Sequence, residues 1–133
     1  MSNTYTLEGL RFTEDEEIIQ YFTRGQCNAL AYELNRLKGY SLGICSSSAG
    51  GEDDFGAHAF CYTSDGLVID IRGVQHFADF RMDWLYFPFV TRYTLSDYHK
   101  EMRFWKNDTH YTQDRFARKW AKIIVDILED PFY

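Results

Sequence analysis

Three residues of the kind that together make a reactive thiol occur in order along this chain. Cys27 stands in Arg24-Gly25-Gln26-Cys27-Asn28-Ala29-Leu30-Ala31, where a glycine-containing turn runs into a helical pattern. His58 follows in Gly56-Ala57-His58-Ala59-Phe60, and Asp70 in Leu67-Val68-Ile69-Asp70-Ile71-Arg72-Gly73. Cysteine attacks as the thiolate, and a helix N-terminus favours that anion through its dipole and its unbonded N–H groups. His58 would accept the thiol proton and return it to a leaving group, while Asp70 would fix the imidazole tautomer. The backbone N–H of Cys27 would serve as one oxyanion donor, with the side chain of Gln26 or Gln20 as the other.

Whether His58 and Asp70 can meet depends on the turn between their strands. A two-residue loop at Asp65-Gly66 would set Cys61 opposite Asp70 and send His58 and Asp70 to opposite faces. A three-residue loop, Ser64-Asp65-Gly66, sets Phe60 opposite Asp70 and His58 opposite Arg72, so that His58 and Asp70 become diagonal neighbours on one face. Glycine in third place is the mark of a type I turn with a G1 bulge. The same register collects Ala59, Cys61, Leu67, Ile69 and Ile71 on the other face, a sound core surface. Core and triad ask for one register.

Gly25-Gln26-Cys27 opening a helix, then Gly56-Ala57-His58-Ala59-Phe60 and Val68-Ile69-Asp70-Ile71-Arg72-Gly73-Val74, resembles the papain-like superfamily of cysteine enzymes, which includes the NlpC/P60 and transglutaminase-like groups. More narrowly, the pattern looks like that of small bacterial and phage proteins of this type. The similarity covers roughly residues 20 to 84. It implies a papain-like core and a thiol-dependent hydrolase or acyl transferase, with Cys27 as nucleophile, His58 as base and Asp70 as orienter. Peptidases, amidases, deamidases and transglutaminases all fall within that class. The chain departs from papain at the oxyanion glutamine, six residues before the cysteine there: Tyr21 occupies that position and Gln20 is one place off.

The elements that must position these residues read as α+β. A helix is expected over Glu14 to Phe22, with Thr13 and Glu16 as a capping box. A second should run from Cys27 to Lys38, burying Leu30, Leu34 and Leu37 and stopping at Gly39. Tyr40 to Cys45 reads as a strand and the Ser-, Gly- and Asp-rich Ser46 to Gly56 as a loop able to cover the site. Strands follow at His58 to Thr63, Leu67 to Arg72 and Leu85 to Tyr93, where Pro88 suggests an edge or a bulge. Helices close the pattern after Ser96 and after Thr112, the last burying Phe116, Trp120, Ile123, Ile124 and Ile127. The expected arrangement is N-terminal helices, with Cys27 at a helix start, packed on a small antiparallel sheet and followed by C-terminal helices.

At 133 residues the chain fits one domain, and 45% hydrophobic with 18% aromatic residues excludes a disordered one. No apolar run approaches the ~20 residues of a membrane span, and the N-terminus lacks a signal-peptide pattern. An odd count of three cysteines points to free thiols and a cytoplasmic setting. Cys45 and Cys61 read as structural. A formal net charge of −6 argues against direct nucleic-acid binding and leaves room for a basic protein partner. Nothing calls for a cofactor, and His76, His99 and His110 lack metal-ligand spacing. Arg72 and Trp84 flank the triad as candidate substrate-binding residues, although Arg72 suits pairing with Asp53 or Asp54 better. The expected function is an intracellular thiol enzyme acting on an amide bond of a peptide or protein. The alternative is an acidic binding protein on the same scaffold, of the kind phage use against nucleic-acid-binding host defences.

Overall fold

A computed structural model of the chain describes residues 8–46, 58–84, 89–103 and 110–129. Helices α1 (Glu16–Thr23) and α2 (Cys27–Lys38) come first. Strands β1 (Ser41–Ser46), β2 (His58–Tyr62), β3 (Leu67–Asp70) and β4 (Gly73–His76) follow. Helix α3 (Phe77–Asp83), strand β5 (Phe89–Tyr93), helix α4 (Leu95–Met102), a 3-10 turn at Tyr111–Gln113 and helix α5 (Arg115–Glu129) complete the order. The fold is mixed α+β, with one antiparallel sheet in the order β4-β3-β2-β1-β5. The expected loop from Ser46 to Gly56 lies, after Ser46, outside the described residues, as does Leu85 to Pro88. Among the described residues no helix is long and apolar enough to cross a membrane.

The hairpin between β2 and β3 has the register that the triad requires. Tyr62 pairs with Val68 and Cys61 with Ile69. The turn closes by Gly66 N–H to the Thr63 carbonyl (3.2 Å) and Thr63 N–H to the Leu67 carbonyl (2.9 Å), with Gly66 at φ +87°. That is a three-residue loop with glycine at its left-handed position. The expectation fails one step further on. β3 stops at Asp70 rather than running to Arg72, because Ile71 and Arg72 form a tight turn that pairs Asp70 with Gly73. Asp70 Oδ1 accepts the Arg72 N–H (2.9 Å) and holds that turn. Arg72 therefore does not oppose His58.

Gly73 is demanded twice over. Its φ is +125°, and a Cβ there would lie 2.1 Å from the Leu10 carbonyl oxygen. The close approach lets Val74 bond the N-terminal segment, its N–H to the Leu10 carbonyl and its carbonyl to the Gly9 N–H, both at 2.8 Å. Strand β4 and helix α3 are absent from the sequence reading, being short and masked by an aromatic run that reads as generic packing.

The two sheet faces separate as the alternation dictates. Leu42, Ile44, Ala59, Cys61, Ile69 and Ile71 join the main core with α2 and α5. Cys45, Phe60 and Val68 form a second cluster with Phe80 of α3, flanked by Phe77 and Trp84.

Several helix details differ from expectation. Asp15, not Thr13, caps α1: its carboxylate accepts the Glu17 N–H, and Thr13 braces Asp15 instead, each at 3.0 Å. Gly25 has open space around it and no left-handed φ, so the turn into α2 does not need glycine. Leu37 is 38% exposed. Helix α5 buries Ala117, Ala121, Ile124, Val125 and Leu128, with Phe116, Trp120, Ile123 and Ile127 only partly covered; small side chains let α5 lie against α2. The α2–α5 contact also encloses Glu33, fully buried, whose carboxylate meets Arg36 Nε at 2.8 Å and Arg118 Nε at 3.7 Å.

Helix α5 carries its charges against its own dipole. Its first turn holds no acid and its last no base. Arg115 and Arg118 stand in the first turn, where a cation costs about 0.3–1 kcal/mol, and Lys119 and Lys122 follow on the same side. Only Asp114 before the helix offsets this, capping it by accepting the N–H groups of Phe116 (2.9 Å) and Ala117 (3.0 Å).

Candidate active site

Cys27 is the first residue of α2, so its N–H is spare within the helix and the positive end of the dipole lies at its side chain. The sulfur also accepts the Ala59 N–H at 3.4 Å, which ties the helix start to β2. His58 begins β2, directly opposite Cys45 of β1. Its Nε2 donates to Asp70 Oδ2 at 2.8 Å, across the point where β2–β3 pairing has ended. Asp70 spends its other oxygen on the Arg72 N–H. The carboxylate is thereby fixed from both sides.

His58 Nδ1 is buried and makes no hydrogen bond of normal geometry among the described residues. It is the ring nitrogen left for the thiol. Burial alone would lower the proton affinity of His58, but hydrogen bonding to Asp70 and then to Cys27, with the negative charge of both, raises its pKa to about 9. The other two thiols behave differently. Burial, with a smaller contribution from Cys27, pushes Cys45 up to about 12. Burial, with Asp70 nearby, pushes Cys61 higher still, and its S–H donates to the Ala31 carbonyl at 3.3 Å. Both remain protonated core thiols at neutral pH.

The site is enclosed. Cys27 is 4% exposed, His58 0% and Asp70 3%. The space bounded by Cys27, Phe22, Leu30, Ala59, Ile69 and Ile71 has no room for a water molecule. On the opposite sheet face, Trp84 stacks on the imidazole with ring centres 4.2 Å apart and planes within 8°. Trp84 thus covers His58, a role not foreseen in its reading as a substrate contact. Arg72 lies over Trp84 (5.8 Å) and pairs with Asp83 at 3.2 Å. Asp53 and Asp54, its expected partners, lie outside the described residues. Asp83 also accepts from Gln75 Nε2 at 3.0 Å, and these three residues line a groove of about 410 Å³ with Leu10, Arg11 and Glu16.

The oxyanion assignments divide. The Cys27 N–H is placed at a helix start, as expected. Gln26 occupies the cap position but makes no side-chain capping bond, and Gln20 is exposed on α1. No side-chain hydrogen bond joins either glutamine to the site among the described residues. Sequence reasoning missed Asn28, which is 1% exposed. Its Oδ1 accepts the Ala29 N–H (2.9 Å), its Nδ2 meets Met102 Sδ (3.4 Å) and its carbonyl accepts the Tyr98 hydroxyl (2.7 Å). Asn28 anchors α4 to the start of α2, beside the thiol. A polar residue in a first helical turn followed by an apolar run was the available signal.

Comparison with family models, with curated proteins and with solved structures gives no match to this chain.

Proposed function

We propose that the protein is a thiol-dependent amide hydrolase or acyl transferase of papain-like type, acting on a peptide or protein. The observation that carries this reading is the buried His58–Asp70 pair, which leaves Nδ1 for the thiol at a helix start. In the proposed reaction the Cys27 proton is already held on His58 Nδ1, as the raised proton affinity of the imidazole favours, and the sulfur electron pair forms a bond to the substrate carbonyl carbon. The carbonyl π pair moves to oxygen, where the Cys27 N–H donates to it. Collapse of this adduct breaks the C–N bond, and the amine leaves with the proton held by Nδ1. Water or a second amine then attacks the thioester and restores the thiol. Asp70 keeps its hydrogen bond to Nε2 throughout and orients the imidazolium. Arg72, on the wall of the neighbouring groove, is the proposed contact for the rest of the substrate.

The test is alkylation by iodoacetamide near neutral pH, with the modified cysteine located by mass spectrometry. Wild type should be modified at Cys27 and not at Cys45 or Cys61, and His58→Ala should slow that modification. A Cys27 that never reacts, or reacts without regard to His58, sinks the proposal.

Closure of the site favours a second reading, since neither Cys27 nor His58 is open to solvent. In that reading the three residues form a buried polar cluster, and the protein binds a basic partner through acidic surface such as the exposed Glu14-Asp15-Glu16-Glu17. An inert Cys27 in the alkylation experiment is the result this reading expects.

A further inference from the structure

Four of the chain's 14 lysines and arginines fall within eight residues of α5. Arg115, Arg118, Lys119 and Lys122 are all exposed, and their spacing puts them in one stripe on the side away from Ala117, Ala121 and Ile124. They are included in the formal net charge of −6, so the rest of the chain carries −10. Arg115 with Lys119, and Arg118 with Lys122, are like-charge pairs at i,i+4, which destabilise a helix. Position makes matters worse for Arg115 and Arg118, which stand in the first turn, where the dipole repels cations. Arg118 reaches Glu33, whereas no acid pairs with Arg115, Lys119 or Lys122 among the described residues. An arrangement that weakens its own helix on three counts is explained by something it binds.

We propose that this stripe is a docking surface for an acidic helical segment of a partner protein. Carboxylates at i, i+3, i+4 and i+7 on such a segment match the stripe charge for charge. A nucleic acid fits less well, since a polyanion longer than the stripe would meet the negative remainder of the molecule. The surface also has a defined place relative to Cys27. Tyr21 donates to Asp114 Oδ2 (2.8 Å) at the start of α5, and the Tyr21 carbonyl accepts the Gln26 N–H (3.2 Å) at the start of α2. Lys38 and Glu129 meet at 2.7 Å at the other ends. The two helices thus run side by side in the same direction, and the stripe lies towards the end of α5 nearer the thiol. Docking there stands whether or not Cys27 reacts, so its test is independent of the alkylation experiment.

Fluorescence anisotropy would follow three labelled probes: an alanine-rich helical peptide with glutamates at that spacing, its glutamine counterpart, and a single-stranded oligothymidine. Wild type should bind the glutamate peptide, more weakly as salt rises, and should not bind the glutamine peptide. Lys119→Glu/Lys122→Glu should lose about tenfold or more in affinity. The same variant should melt higher than wild type, a result that also shows that it folds. Lys119→Gln/Lys122→Gln should fall between the two in both measurements. Equal binding of both peptides, unchanged affinity in the reversed variant, or a melting temperature that does not rise overturns the proposal. Tighter binding of oligothymidine than of the glutamate peptide overturns the class of partner.

Discussion

His58 is a buried base whose proton affinity is raised by the groups around it, and that has a sign. Its pKa of about 9 lies above the ordinary value of 6.5, so the folded state holds this proton more tightly than the unfolded chain. The resulting stability is fully present below the unfolded value and disappears as pH rises through about 9. Wild type should therefore lose melting temperature between about pH 7 and pH 10, beyond any loss in Asp70→Asn, whose neutral amide removes the largest favourable contribution. Circular dichroism melts across that range check this; parallel curves for the two proteins would refute it. The pairing of His58 with Asp70 was legible beforehand because it follows from alternation and turn length. Trp84 was not, because a stack depends on α3, an element without a sequence signal strong enough to place it. Asn28 escaped for a related reason: its partners Tyr98 and Met102 are distant in sequence.

At the scale of elements, turn chemistry decides what tolerates change. Gly73→Ala must meet both an unfavourable φ and a backbone oxygen at 2.1 Å, so it should cost at least about 2 kcal/mol by urea denaturation. Gly25→Ala meets open space at an ordinary φ and should be neutral or stabilising by up to about 1 kcal/mol. The contrast is informative because both glycines flank site motifs and look equivalent in the sequence. The second helix was read with the bounds Cys27 to Lys38, where a glycine stop and an apolar repeat agree. Helix α1 was read two residues early because Thr13 and Asp15 both suit an N-cap, and only the three-dimensional bonding chooses between them. The face of α5 was read in part: Ile124 is buried and Phe116, Trp120 and Ile127 pack against the core. Ala117 and Ala121 were passed over because bulky residues draw the eye, whereas alanines set how closely two helices can lie.

For the whole molecule, the interface between α2 and α5 carries the most unusual energetics. Glu33 is fully buried, while Arg36 and Arg118 keep much of their length in water. Replacing the acid therefore strands no buried cation. Glu33→Met should leave stability within about 1 kcal/mol of wild type or improve it. Arg36→Ala/Arg118→Ala leaves a buried carboxylate without its partners and should cost about 3 kcal/mol. Thermal melts should separate the two variants, with only the double alanine falling well below wild type. Sequence reasoning could give the α+β class, but not this interface, since nothing local marks an acid on α2 as facing a helix so far along the chain.

That distance has a consequence for how the chain acquires its structure. Tyr21 and Asp114 are 93 residues apart, and Lys38 and Glu129 are 91 apart. The β2–β3 hairpin forms through near neighbours, whereas seating α5 closes the longest loops, and long loops are slow to close. The helix that bears Cys27 thus stays bare along one flank after the imidazole and carboxylate have met. During refolding the Glu33 flank of that helix should stay open for longer than the hairpin takes to form, so the burial of Glu33 against α5 would time the last step of assembly.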